Sequence, residues 1–390
     1  MSVPDEPARG FDRAEFAERT ARAQALMAAA ELDGLLLTTQ PEIRYFTGFQ
    51  TAFWHSPTRP WFLYVPETGK PLAVIPEIGA ALMRQTWIED IRTWPAPRPT
   101  DDGVGLLIDM LSPLAKRRGR LGVPKGPETM LRMPLGDYER LLAALPGLVI
   151  DDATAIIRAL RMVKSPAEIA KLSHIGAVAS KAFAEVPSLL IPGMTPVGMF
   201  RAFRQTALAM GADEVPFLVG GAGQDGYRDV ISPPVPKPVA PGDILMMDTG
   251  CTWDGYFCDF DRNFAIARAS DAPRRAYEVL WRATEAGLEA ARPGVTCRQV
   301  FGAMQREIAT VDPAGGDIGR LGHGLGMQLT EWPSLARWDE TELCENMVLT
   351  LEPSLGYQDG LMMVHEENIV VQQGAPRLLT RRAPPELPVI

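Results

Sequence analysis

MMDTGCTWDGYFCDFDR, residues 246–262, carries the pattern on which the fold turns. Asp248 closes the apolar run GDILMMD (242–248), and Asp259 lies in FCDFDRNF (257–264); both runs are strand-like. A turn at Trp253–Gly255 sets them on neighbouring strands and draws the two carboxylates together. Either aspartate alone reads as a solvated strand-edge residue. Embedded in Ile, Leu, Met and Phe, an unpaired charge is costly to bury, so the pair asks for a cation.

Further along the chain the pattern returns. NMVLTLE (346–352) ends on Glu352, and MVHEENIV (363–370) carries Glu366, with GYQDG (356–360) between them. The helix openings repeat as well: PGMTPVGMFRAF starts at Pro192 and PGVTCRQVFGAM at Pro293, each a Pro-Gly-x-Thr turn and N-cap signal before an amphipathic segment. Three matched pairs predict a duplicated unit of helix plus β-hairpin about a pseudo-twofold axis. In this matching Asp248 answers Glu352 and Asp259 answers Glu366. The axis brings all four carboxylates to one centre, where desolvation and mutual repulsion forbid four bare charges. Two divalent metals resolve the conflict, since bridging carboxylates hold metal pairs roughly 3.5–4 Å apart. His323, in LGHGLGMQLTEW (321–332), supplies one nitrogen ligand, and its flanking glycines permit close approach.

The remaining chain fits an enzyme-sized frame. With 390 residues it holds two domains and a large core. A net charge of −9 argues against nucleic acid or an anionic membrane as partner. No uncharged apolar run reaches roughly 18 residues, so no membrane span is expected. The N-terminus lacks a signal-peptide core, and Cys251, Cys258, Cys297 and Cys344 show no disulfide framework, which points to a cytoplasmic protein. FDRAEFAERTARAQALMAAA (11–30) is helical; DGLLLTT (33–39), WFLYVP (61–66) and PLAVIP (71–76) are strands, with a helix around Ile78–Gln85, giving an α/β domain. DDATAIIRALRMVK (151–164) connects to a long helix opening at SPAEI, where Ser165, Pro166 and Glu168 form a capping box; His174 within it reads as structural. The expected domains are residues 1–155 and 156–390.

The motifs MMDTGCTWDGYFCDFDR, GHGLG, LTLEPSLGY and HEENIVV, with PEIRYFTGF (41–49) and RALRMVKSPAEI (158–169), together resemble the creatinase, prolidase and aminopeptidase P superfamily, the pita-bread metallohydrolases. The resemblance spans nearly the whole chain. It implies an α/β N-terminal domain followed by an α+β pita-bread domain with pseudo-twofold symmetry. It also implies that Asp248 and Asp259 chelate one metal and that Asp259 and Glu366 bridge. His323 and Glu352 then complete the second metal, and Glu352 orients, or takes a proton from, the attacking water. A site rich in oxygen with one imidazole suits manganese, iron, cobalt or zinc. The implied activity is hydrolysis of a peptide or amide C–N bond in the manner of an Xaa-Pro dipeptidase, by a homodimer acting on a small peptide or small molecule.

Three positions depart from the family's peptidases. Thr330 stands where a second histidine follows the first; YRDVISPPVPKPVAPGD (227–243) holds no upstream histidine; Val364 replaces an arginine. Thr330 donates a hydrogen bond but does not shuttle protons near neutrality. Substrate contacts are therefore sought at Thr330, Tyr227, Arg228 and Trp332, and at His55 and Arg59 reaching across a dimer interface. A creatinase-like or ectoine-hydrolase-like hydrolase, or a lyase, of a small metabolite is the alternative. A non-catalytic binding member is the second alternative.

Overall fold

The computed structural model describes residues 6–56, 59–311, 319–358 and 360–390. They form two compact units: Arg9–Arg161, and Met162–Ile390 together with the described residues before Arg9.

The first unit is built on six strands: β1 (Gly34–Leu37), β2 (Phe62–Pro66), β3 (Leu72–Pro76), β4 (Ile91–Trp94), β5 (Arg120–Val123) and β6 (Val149–Asp152), in the sheet order 4-3-2-1-5-6. β1 and β2 pair antiparallel, as do β2 and β3, and the other pairs run parallel. Parallel strands are buried on both faces and read as continuous apolar runs; Leu35, Leu36 and Leu37 are wholly buried. Helix Arg13–Ala29 starts at Asp12, whose carboxylate accepts from the Glu15 N–H at 2.9 Å. The helix expected near Ile78–Gln85 is shorter, a 3₁₀ turn at Glu77–Gly79 followed by Ala80–Met83.

In the second unit, helix Pro166–Ala184 opens with the expected box. The Glu168 N–H donates to Ser165 Oγ at 3.3 Å, and the Ser165 N–H donates to Glu168 Oε2 at 2.8 Å. Ser165→Ala should lower the unit's stability by about 1 kcal/mol, read as a small fall in the thermal midpoint. His174, in this helix, is buried against Trp253, ring centroids 4.6 Å apart. Lys171, also here, donates to the Ala8 carbonyl and pairs with Asp254 Oδ2 at 2.8 Å.

The remaining strands are β7 (Glu214–Val219), β8 (Ala222–Gln224), β9 (Asp243–Trp253), β10 (Tyr256–Phe257), β11 (Phe260–Ala265), β12 (Gly322–Gly324), β13 (Glu331–Ser334), β14 (Val348–Leu351), β15 (Ser354–Gln358), β16 (Leu361–Val364), β17 (Glu367–Val370) and β18 (Arg377–Leu378). β9 lies between β10 and β11 and also pairs with β7 and β8; a second sheet runs 13-12-14-17-18; β15 and β16 form a separate hairpin. Helices Pro196–Ala209 and Cys297–Ile308 begin at the repeated threonines, Thr195 and Thr296. Alternation sorts the side chains. Leu245, Met247 and Phe260 join a core with residues of helices Pro166–Ala184 and Pro196–Ala209, while Leu349, Leu351 and Ile369 join one with helices Asp271–Ala290 and Cys297–Ile308. The intervening residues, Asp248 and Thr350 among them, lie on the opposite faces of their strands.

The register revises one matched pair. β11 pairs Asp261, not Asp259, with Asp248, and Asn263 with Met246. β14 and β17 pair Thr350 with Asn368 and Leu351 with Glu367, which sets Glu352 and Glu366 on the next rung. Asp261 therefore answers Glu366, and Asn263 answers Asn368. These asparagines tie the two hairpins together reciprocally. Asn263 Nδ2 donates to the Val364 carbonyl at 2.8 Å, Asn368 Nδ2 donates to the Asp259 carbonyl, and the Asp259 N–H donates to Asn368 Oδ1 at 2.9 Å. Each carbonyl stands the same number of residues before the opposite asparagine, as a local twofold requires. Asp359, in the GYQDG segment, lies outside the described residues.

Candidate metal centre

The two hairpins and β12 deliver acidic and imidazole side chains to one place. Asp248 is on β9, Asp259 just before β11, His323 on β12, Glu352 just after β14 and Glu366 just before β17. Ligand atoms of Asp259, His323 and Glu366 all lie within 4.8 Å of one another, and all three residues are buried. His323 Nε2 is 3.5 Å from Asp259 Oδ2 and 3.7 Å from Glu352 Oε2. Glu366 Oε1 accepts from the Thr350 hydroxyl. Glu352 is partly open, with 31% of its side-chain surface exposed, and Asp248 is half-buried.

The glycines around His323 serve the sheet rather than a ligand. A Cβ on Gly322 would sit 2.2 Å from the Thr350 carbonyl oxygen, and one on Gly324 would sit 2.3 Å from the Trp332 carbonyl oxygen. Gly322 also has φ +142. β12 is thus pressed between β13 and β14, and this holds the imidazole in place.

The chemistry of the donor set fits divalent cations. His323 Nδ1 lies 2.9 Å from the Gly324 carbonyl, an acceptor only, so Nδ1 carries the proton and Nε2 presents a lone pair. Burial, and then the charge of Arg320, hold the imidazole down to about 4, so it is neutral at pH 7. That lone pair faces the Asp259 and Glu352 carboxyl oxygens at 3.5 and 3.7 Å. Asp248 Oδ1 is buried without a hydrogen-bond partner. Burial pushes Asp248 up to about 8, with the Glu352 charge adding to it, and pushes Glu352 up to about 7 against the opposing charge of Arg320. Asp259 and Glu366 are raised well above the carboxylate range by burial, then by their acidic neighbours. A cluster that resists ionisation, beside a neutral imidazole held in its ligating tautomer, is what cations relieve.

The other candidate residues lie as follows. Thr330 is half-buried immediately before β13. Trp332 is half-buried against Trp338, centroids 5.7 Å apart, and its indole N–H reaches Thr341 Oγ1 at 3.4 Å. Tyr227 is buried, its hydroxyl donating to Asn263 Oδ1 at 3.0 Å and accepting from the Val364 N–H at 2.9 Å. That position makes it part of the interior scaffold. Arg228 is exposed, with its guanidinium beside Gly360. His55 and Arg59 belong to the first unit: His55 is exposed at the end of a 3₁₀ turn, and the Arg59 guanidinium lies 4.9 Å from the Phe53 ring centroid. Sequence reasoning missed Arg320 and the buried pair Lys164–Glu331, 3.1 Å apart. The asparagine pair was legible in principle, because an Asn follows each returning acidic run.

Two family models match the chain: the creatinase/prolidase N-terminal domain over residues 19–163 and metallopeptidase family M24 over residues 170–373. With the fold, these make the protein a pita-bread metallohydrolase, an α/β domain followed by an α+β catalytic domain. The chain belongs to metallopeptidase family M24. It is 30% identical, over 98% of each chain, to the probable dipeptidase PepE of Mycobacterium tuberculosis. It is 29% identical to the Xaa-Pro dipeptidase of Pyrococcus furiosus over 59% of this chain and 65% of that one. The crystal structure of dipeptidase PepE from Mycobacterium ulcerans superposes with a TM-score of 0.84 at 29% identity, covering 97% and 99% of the two chains. No helix among the described residues is long and apolar enough to cross a membrane.

Proposed function

We propose that Asp248, Asp259, His323, Glu352 and Glu366 hold two divalent cations, and that the protein hydrolyses a C–N bond in a small substrate, an Xaa-Pro dipeptide or a related amide. The observation that carries this reading is the His323 lone pair directed at the Asp259 and Glu352 carboxylates while Nδ1 is tied to Gly324. The cations, when bound, supply Lewis acidity, which makes the nucleophilic water more acidic and stabilises charge developing on the scissile carbonyl. Manganese, cobalt, iron and zinc all suit the donors.

Glu352 is the residue that moves the proton. It is more open than Asp259 and Glu366, and its raised pKa suits a base that later acts as an acid. It accepts the proton of the attacking water and returns it to the leaving nitrogen. Asp259 and Glu366, buried and fixed through Asn368 and Thr350, orient the site without exchanging protons with solvent. Thr330 offers a hydroxyl donor to the substrate carbonyl.

A second reading, hydrolysis of a small nitrogenous metabolite, draws on the imidazoles. The unit's other two, His174 and His365, are buried, one against Trp253 and the other with Nδ1 2.9 Å from Thr284 Oγ1. Neither is free to protonate a leaving group, so the proton must travel through Glu352. A leaving nitrogen that is already basic suits that arrangement.

Protein expressed with supplied metal should carry close to two divalent ions per chain by elemental analysis. It should also turn over at least one substrate in a panel of Xaa-Pro dipeptides, N-acyl amino acids and betaine-like compounds. Metal-free protein from such a preparation would overturn the reading, and turnover confined to the small metabolites would favour the second.

A further inference from the structure

We propose that Asp261 is a fifth carboxylate, and the sixth ligand, of the metal centre, acting with Asp248 on the cation at that side. The inference rests on the two-cation reading above. It starts from the strand register: Asp261 on β11 stands directly across from Asp248 on β9, so both side chains leave the same face of the hairpin. On the matching hairpin the corresponding rung holds Glu352 and Glu366. The reciprocal bonds of Asn263 and Asn368 confirm that correspondence, because each asparagine follows its acidic residue by two positions. By local symmetry Asp261 occupies the place of Glu366.

The surroundings of Asp261 hold one oxygen and leave the other bare. The residue is 2% exposed. Its Oδ2 accepts from Asn263 Nδ2 at 2.6 Å, and Asn263 is itself clamped by the Tyr227 hydroxyl and the Val364 carbonyl. Its Oδ1 is buried with no hydrogen-bond partner, as is Asp248 Oδ1 opposite. A buried polar atom without a partner is rare in native proteins and costly to keep. Here two such atoms belong to facing acids. The adjacent Arg262 makes no hydrogen bond to either carboxylate: its guanidinium pairs with Glu367 Oε2 at 3.1 Å and donates to the Glu366 carbonyl at 2.9 Å. A chain of buried donors that fixes one carboxylate oxygen and leaves the other bare is how an outer shell orients a metal ligand.

The test is titration of the metal-stripped full-length chain with MnCl₂ by calorimetry, with thermal midpoints recorded at each stage. In Asp261→Asn, and in the smaller Asp261→Ser, one of the two sites should weaken by about tenfold or more, with the other unchanged. The metal-free midpoint should rise, because an uncompensated acid is gone, while the gain in midpoint on adding Mn²⁺ should shrink. Two ions bound with wild-type affinity in both variants would overturn the proposal. That affinity together with a raised metal-free midpoint would mean that Asp261 and Asp248 share a proton instead, and also overturns it. Wild-type protein that takes up no Mn²⁺ would bring down the two-cation reading itself, a result distinct from either.

Discussion

Glu352→Gln is expected to lower kcat by on the order of a thousandfold or more, with KM and the thermal midpoint close to wild type. Glutamine keeps the size and a carbonyl oxygen able to ligate, but it takes no proton at neutral pH. Among the described acids of the centre, Asp259 and Glu366 are 4% and 2% exposed, so neither replaces Glu352 as a route for protons. Asp248 is half-buried like Glu352, so the effect rests on Glu352 being the open acid facing His323, at 3.7 Å. Steady-state kinetics on purified variant and wild type, each with metal content measured, decides it. Activity within tenfold of wild type at equal metal content would remove Glu352 from proton transfer.

Metal removal should change the sign of the pH dependence of stability. In the metal-stripped chain Asp248 is raised to about 8 and Glu352 to about 7, while unfolded carboxylates titrate near 4. Groups whose folded pKa is raised contribute stability that is fully present below the unfolded value and lost as pH climbs through the folded one. His323 works in the opposite sense, since its folded value is lowered to about 4, and its effect lies below the unfolded imidazole value. Above about pH 6.5 only the carboxylates act. The stripped chain should therefore lose several kcal/mol between pH 6.5 and 8.5, on the order of 10 °C in midpoint. With Mn²⁺ bound the loss should vanish, and destabilisation should appear on the acid side instead, where ligands must be protonated. Differential scanning calorimetry across pH, with and without the ion, reads both. A stripped chain whose midpoint is level from pH 6.5 to 8.5 would contradict the buried, unpaired state of these acids.

The meeting of Asp259, His323, Glu352 and Glu366 was legible because the acids sit in strand-like apolar runs, where burial of a charge demands an explanation. The helix start at Ser165 and the duplicated threonine caps were equally open to reading, since capping depends on neighbours in sequence. The matching of Asp259 with Glu366 was not reliable. Register is set by the length of the connecting turns, and the second hairpin accommodates the inserted β15–β16 pair where the first makes a tight turn. A count along the chain follows acidity, whereas the sheet follows hydrogen bonds. The glycines beside His323 show a related limit. Their role is visible only once the carbonyls of Thr350 and Trp332 are in place.

The Lys171 ammonium, held between Asp254 and the Ala8 carbonyl, bears on how the molecule is dissected. Residues on both flanks of the Arg9–Arg161 unit belong to the same body. A fragment beginning at Met162 would leave a lysine buried one acceptor short, so attempts to prepare the hydrolytic half by simple N-terminal truncation start from a damaged interior. Excising Arg9–Arg161 and joining Ala8 to Met162 through a flexible linker preserves that acceptor, and is the better route to an independent C-terminal half.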